Sequence, residues 1–236
     1  MDECALITGA SRGIGFATAI ELAKRGRDLL LIGRDRKGLN AVVERCISLG
    51  RKAESVLLDL NDIDSVTEWA TNCIQEYPQI NVLVNNAGIG IFGSTAIITN
   101  EEWDRIIKTN LTAPFILTRA VIPLMIRAGK GHIVNVSSDA DTCGFRNASG
   151  YCASKGAILS FSRALDLELR NSGIRVTVIS PGRVDTYFNN RKPGDRPSSL
   201  KPEDIAYAIG CAIDAPGDSV WQVLRIESIK ADCARQ

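Results

Sequence analysis

What most constrains this chain is an alternation. Short runs rich in Val, Ile and Leu recur at 4–8, 28–33, 53–58, 80–85, 132–138, 175–180 and 221–226, and between most of them lie amphipathic stretches at 15–25, 37–49, 63–76, 101–127, 150–171 and 202–215. Near-continuous apolar runs suit strands buried on both faces, and a strand followed by a helix rejoins the sheet parallel to its predecessor. The pattern predicts an α/β fold: a doubly wound Rossmann-type unit with a seven-stranded, mainly parallel sheet flanked by helices. At 236 residues and 45% apolar the chain can fill that core as one domain, 1–236, with no repeat or interdomain linker. The stretch 189–199, rich in Pro, Gly, Ser, Arg and Asn, reads as part of a mobile lid at 183–200.

Composition removes several classes of function. The 28 basic and 27 acidic residues leave a net charge of +1, so no global field attracts nucleic acid or an anionic membrane. The N-terminus runs from a short apolar stretch into glycines without the three-part pattern of a secretory signal, and no uninterrupted apolar run approaches about 18 residues. The expectation is a cytoplasmic protein with a small-molecule partner. Seven cysteines, at 4, 46, 73, 143, 152, 211 and 233, form no C-x-x-C pair and read as reduced thiols, with Cys143 and Cys152 as buried packing. With His132 as the only histidine, a metal site or a Ser-His-Asp triad is hard to build, and none is expected.

Three local patterns carry chemistry. The first apolar run leads into Thr8-Gly9-Ala10-Ser11-Arg12-Gly13-Ile14-Gly15 and then a helix, where residues without side chains let a pyrophosphate approach backbone N–H groups. Tyr151 and Lys155, four apart at the start of a predicted helix, share one helical face. Thirteen residues before Tyr151 the fifth apolar run ends in Ser137-Ser138, of which strand alternation lets only one readily face a cleft. To these add Asn85-Asn86-Ala87-Gly88 after the fourth run, Lys108-Thr109-Asn110, and Pro181-Gly182-Arg183-Val184-Asp185-Thr186 after the sixth. In this order, over residues 8–186, the motifs resemble those of the short-chain dehydrogenase/reductase family.

The resemblance implies roles, residue by residue. Ser138 would bind a substrate carbonyl, Tyr151 donate the proton, Lys155 act as its electrostatic partner and lower the phenol pKa, and Asn110 position a water. Gly9, Ser11, Arg12, Gly13, Ile14 and Gly15 would cradle a dinucleotide, Asp59 and Leu60 its adenine, and Asn86, Ala87 and Gly88 its inner wall. Tyr151 and Lys155, with Pro181, Gly182, Val184 and Thr186, would meet its nicotinamide half. Arg34, at the end of the second run, and Arg12 are two forks suited to a 2′-phosphate, so NADP(H) is favoured over NAD(H). Asp35 argues the other way, unless it serves as a helix N-cap. The implied activity is reversible, NADPH-dependent reduction of a small ketone or aldehyde to an alcohol; a non-catalytic NADP(H)-binding redox regulator is the alternative. Residues 219–226 resemble the ending of sepiapterin-reductase-like and small hydroxy-acid dehydrogenase relatives more than that of acyl-carrier-protein ketoreductases. Family resemblance also suggests a homodimer or homotetramer, with 101–127 and 150–171 as candidate interfaces.

Overall fold

The fold is that of a computed structural model, which describes residues 4–216 and 219–230; Cys233 lies outside them. Seven strands form one sheet: β1 (Cys4–Thr8), β2 (Asp28–Gly33), β3 (Ala53–Leu57), β4 (Ile80–Asn85), β5 (Gly131–Val136), β6 (Ile174–Pro181) and β7 (Val223–Ile226). Their order is β3-β2-β1-β4-β5-β6-β7, and every pairing is parallel. The chain builds outward from β1 to β3, then crosses back to lay β4 on the other side of β1. Connections after β1 and β4 therefore diverge, opening a crevice at the carboxyl ends of the strands.

Strand alternation distributes the apolar side chains between two cores. Cys4, Leu6, Leu30, Ile32, Leu83 and Ile133 face one side, against α3 (Ile63–Glu76), α5 (Ala113–Ala128) and α6 (Ser149–Leu169). Ala5, Ile7, Leu29, Leu31, Val84 and Val134 face the other, against α1 (Gly13–Lys24), α2 (Arg36–Ser48) and α7 (Pro202–Ile213). With both faces covered, a strand has no polar face to show, which is why the runs lack an alternating pattern.

The structure departs from the sequence reading in the fourth helical stretch. It is not one regular helix: α4 (Asn100–Ile107), opened by a Thr99–Glu102 capping box, passes through a π-helical turn at Lys108–Thr112 before α5 begins. Such turns widen a helix by one residue and recur at functional sites, and this one carries Asn110. The continuous run Asn100–Ala128 is long and apolar enough, by length and composition, to cross a membrane, but half of its most apolar window is buried, with α5 packed on the sheet and on α3. β7 is shorter than expected, and β5 stops at Val136, so Ser137 and Ser138 lie just past the strand end.

Candidate active site

The crevice between the β1 and β4 connections opens into a cleft of about 830 Å³. Its floor is the turn after β1. Gly9 and Gly13 have φ of +67° and +59°, a region that favours glycine. Gly15 has no room for a side chain: a Cβ there would run into the Gly9 carbonyl oxygen and lie 2.5 Å from Asn86 Nδ2. The turn is braced from β4. The Asn86 side chain donates to the Thr8 carbonyl at 2.8 Å, while the Thr8 hydroxyl accepts from the N–H groups of both Asn86 and Ala87 at 3.0 Å. Thr8 is 1% exposed and is a positioning residue that the sequence reading passed over, although it opens the glycine motif.

The opposite wall comes from β5 and α6. Lys155 Nζ donates to the Val136 carbonyl at 2.9 Å and lies 5.7 Å from the centroid of the Tyr151 ring. Ser138 faces the cleft, and its Oγ donates to Asp139 Oδ1 at 2.8 Å and accepts from the Ala140 N–H at 3.2 Å. Ser137, by contrast, directs its hydroxyl to the Lys155 carbonyl at 3.4 Å. Asn110 uses both amide N–H groups, on the Ile89 carbonyl at 2.9 Å and Ser154 Oγ at 3.0 Å, and its Oδ1 accepts from the Ile89 N–H. In this structure its side chain locks the β4 exit to α6. Beneath the site a buried ladder that the sequence did not disclose ties three elements together. Asn85 donates to its register partner Asn135, and Asn135 to Ser162 of α6, each at 2.8 Å.

Burial dominates the electrostatics of this pair. Burial pushes the Tyr151 phenol up to about 12; its hydrogen bond with Ser138 opposes this, and Asp139, Cys152 and Asp141 add to it. Burial holds Lys155 down at about 8, with Asp141 acting the other way. At neutral pH Tyr151 keeps its proton and Lys155 is mostly cationic.

At the outer end of the cleft, Arg34 pairs with Asp59 at 3.4 Å, both side chains about half exposed. Asp35 accepts from the Lys37 N–H at 3.1 Å as the N-cap of α2, so its carboxylate is engaged by the helix start. Arg12 lies over the Tyr187 ring, 5.4 Å from its centroid. Ser11, Ile14, Leu60, Ala87, Gly88, Pro181, Gly182, Val184 and Thr186 all line the cleft. Phe92, Tyr151 and Phe188 form an aromatic wall, with centroids 5.6 to 6.4 Å apart. The segment 183–200 is a loop closed at its base by the Val184–Leu200 bridge. Cys143, in the loop before α6, and Cys152, in its first turn, are half-buried and not the closed packing expected; Cys4, Cys46 and Cys73 are buried.

A glycine turn at the switch point, facing a Ser, Tyr and Lys carried by β5 and α6, is the arrangement the motifs anticipate. The family model for short chain dehydrogenases matches residues 3–196. The chain belongs to the short chain dehydrogenase family. It is similar to sepiapterin reductase of Chlorobaculum tepidum, 32% identical over 98% of each chain. A second relative is the 3-oxoacyl acyl-carrier-protein reductase of Thermotoga maritima, 33% identical over 86% of this chain and 87% of the other. Among solved structures, the alcohol dehydrogenase of Thermococcus sibiricus complexed with 5-hydroxy-NADP superposes with a TM-score of 0.90 at 30% identity, covering 98% of each chain. Near-equal identities to relatives of different printed activity do not single out a substrate for this short chain dehydrogenase.

Proposed function

We propose that the chain reduces the carbonyl group of a small molecule to an alcohol with NADPH. The observation that carries this reading is Ser138, Tyr151 and Lys155 gathered on one wall of the cleft, with Lys155 Nζ 5.7 Å from the Tyr151 ring centroid, facing a glycine turn shaped for a pyrophosphate. The fit to a dinucleotide is tested by the floor itself. Gly9, Gly13 and Gly15 form a cradle that a Cβ at Gly9 or Gly15 would obstruct, and the cleft volume lies within the range of ligand pockets. Arg34 would hold the 2′-phosphate, with Arg12 as second fork once released from Tyr187. The exposed Arg34–Asp59 pair is worth little, and Asp35 is engaged as a cap. The relative from Thermococcus sibiricus, complexed with a modified NADP, supports the same choice.

When bound, NADPH supplies the hydride. The chain's own residues do the rest. Ser138 and Tyr151 donate hydrogen bonds to the carbonyl oxygen as it gains charge, and Tyr151 then releases its proton to that oxygen. Lys155 stabilises the phenolate left behind. Asn110 holds the β4 exit and α6 in register, so that Tyr151 and Lys155 keep their spacing. The test is NADPH oxidation followed by absorbance against a panel of diketones, pteridines, keto acids and acyl thioester ketones, with NADH and Tyr151→Phe alongside. Turnover reduced about a hundred- to ten-thousandfold in the variant supports the reading. Tight NADPH binding without turnover across the panel refutes it and favours a redox regulator.

A further inference from the structure

Among the described residues, five arginines and one lysine line the cleft, against three aspartates. The reading above gives Arg12 and Arg34 to the dinucleotide and Lys155 to the reaction. Arg183 and Arg196, which also line the cleft, have no part in it. Both belong to the loop 183–200, whose Phe188 ring stands 5.6 Å from that of Tyr151. The fold braces the base of this loop: the Leu200 N–H donates to the Arg183 carbonyl at 3.0 Å, and the Asp185 N–H donates to the Leu200 carbonyl at 2.8 Å. Arg196 folds back onto that base. It is half-buried, and its Nη1 lies 3.4 Å from the carbonyl of Val184, the residue after Arg183. Burial, then the charges of Arg191 and Arg183, press the Arg196 guanidinium below the usual arginine value, while Asp185 and Asp195 act the other way.

Those two aspartates are turned to the backbone of the loop itself. Asp185 Oδ2 accepts from the Gly194 N–H at 2.7 Å and Asp195 Oδ2 from the Lys192 N–H at 2.8 Å, and neither residue lines the cleft. Among the described residues no carboxylate forms an ion pair with Arg183 or Arg196. Over 183–196 four basic residues stand against two acidic ones, so the segment beside the reacting groups carries a local positive excess. A guanidinium keeps its charge at any working pH, and its planar fork matches a carboxylate or a phosphate. We infer that Arg183 and Arg196 form an anion subsite at the base of the lid, and that the substrate is a carbonyl compound carrying a carboxylate or phosphate group on the part remote from Ser138 and Tyr151. The inference rests on the carbonyl-reductase reading above and names its substrate class.

The experiment compares anionic and neutral forms of one carbonyl compound: levulinate against methyl levulinate for a carboxylate, and dihydroxyacetone phosphate against dihydroxyacetone for a phosphate. Intrinsic reactivity differs within a pair but is the same for every enzyme, so the quantity read is the change in the anionic-to-neutral kcat/KM ratio. In the double variant Arg183→Gln with Arg196→Gln the ratio for the matching pair is expected to fall at least about tenfold, mainly through KM, and the pair that responds tells carboxylate from phosphate. The same ratio in wild type should fall several-fold between about 10 mM and about 300 mM salt, a reading that needs no variant to fold. Ratios within about twofold of wild type in the double variant for both pairs, or wild-type ratios indifferent to salt, overturn the subsite and leave the reductase reading standing. So does a loss of NADPH affinity that lowers both members of each pair alike, which would give the two arginines to the cofactor. No reduction of these ketones or of the panel above by NADPH-bound wild type overturns both.

Discussion

Thr8→Val is the most economical test of how the cofactor floor is held. Valine keeps the shape of the side chain and removes only the hydroxyl, which accepts from two backbone N–H groups, those of Asn86 and Ala87, at 3.0 Å each. A buried donor left without its acceptor costs about 1–3 kcal/mol. Asn86 and Ala87 are only part-buried and recover some of this from solvent, so the expected loss is about 2–4 kcal/mol. For a chain of this length each kcal/mol lowers the midpoint by about 2–4 °C, giving roughly 5–15 °C in all. The same segment braces Gly9, so NADPH affinity should weaken about tenfold or more. Thermal melts followed by circular dichroism, and NADPH titration by fluorescence, read both quantities. Thr8→Ser, which keeps the acceptor, is the control and should retain most of each. A valine variant that melts within about 1 °C of wild type and binds NADPH equally well would show that the hydroxyl does not hold these loops together.

Reduction needs Tyr151 protonated and Lys155 cationic, so kcat/KM should fall as pH rises through about 8, where Lys155 loses its proton, while Tyr151 at about 12 stays silent. A profile flat to about pH 10 would refute that assignment. Buried His132, held down at about 3 by burial and by Arg175 and Arg27, cannot take up the proton that the unfolded chain binds below about 6.5. Stability should therefore fall as pH falls below that value, by about 2 kcal/mol at about pH 5. Urea midpoints should show a shallower acid slope in His132→Gln, and an unchanged slope would count against this account. Gly15→Ala should abolish NADPH binding by calorimetry while the chain still folds, because its Cβ meets the Gly9 carbonyl and Asn86; wild-type affinity would show that the cradle can widen. Arg34→Ala should raise the Kd for NADPH about ten- to a hundredfold and leave NADH unaffected, and an equal effect on both would remove Arg34 from the 2′-phosphate site.

The fold was legible because apolar periodicity and strand burial have one cause. A run such as Leu29–Ile32 reads as doubly buried before any neighbour is known, and its residues do divide between the two cores. The same holds for spacing within one element. Tyr151 and Lys155 meet because a helix brings residues four apart together. What escaped the sequence is whatever register creates. Asn85 and Asn135 are fifty positions apart and become a buried hydrogen-bonded pair only because β4 and β5 align them. The π-helical turn at Lys108–Thr112 has no compositional mark, and it is the geometry that points Asn110 back at Ile89.

The charge state of Tyr151 is the sharpest case of this limit. Helical spacing supplies a neighbouring ammonium but says nothing of how deeply the phenol is buried, and burial raises it. Burial is the largest cause, and two carboxylates on a different element, in the turn after β5, add to it. They are not equivalent. Asp141 is fully buried, accepts from Ser180 Oγ at 2.8 Å and has Arg225 of β7 at 3.2 Å, so its charge is largely met within the fold. Asp139, half-buried, faces the cleft and has the Ser138 hydroxyl for a neighbour. Asp139 therefore bears on how firmly Tyr151 keeps its proton, and Asp139→Asn should lower the phenol from about 12. A phenol titration followed by ultraviolet absorbance, with the Tyr151→Phe signal subtracted, that is unchanged in that variant would take Asp139 out of this account.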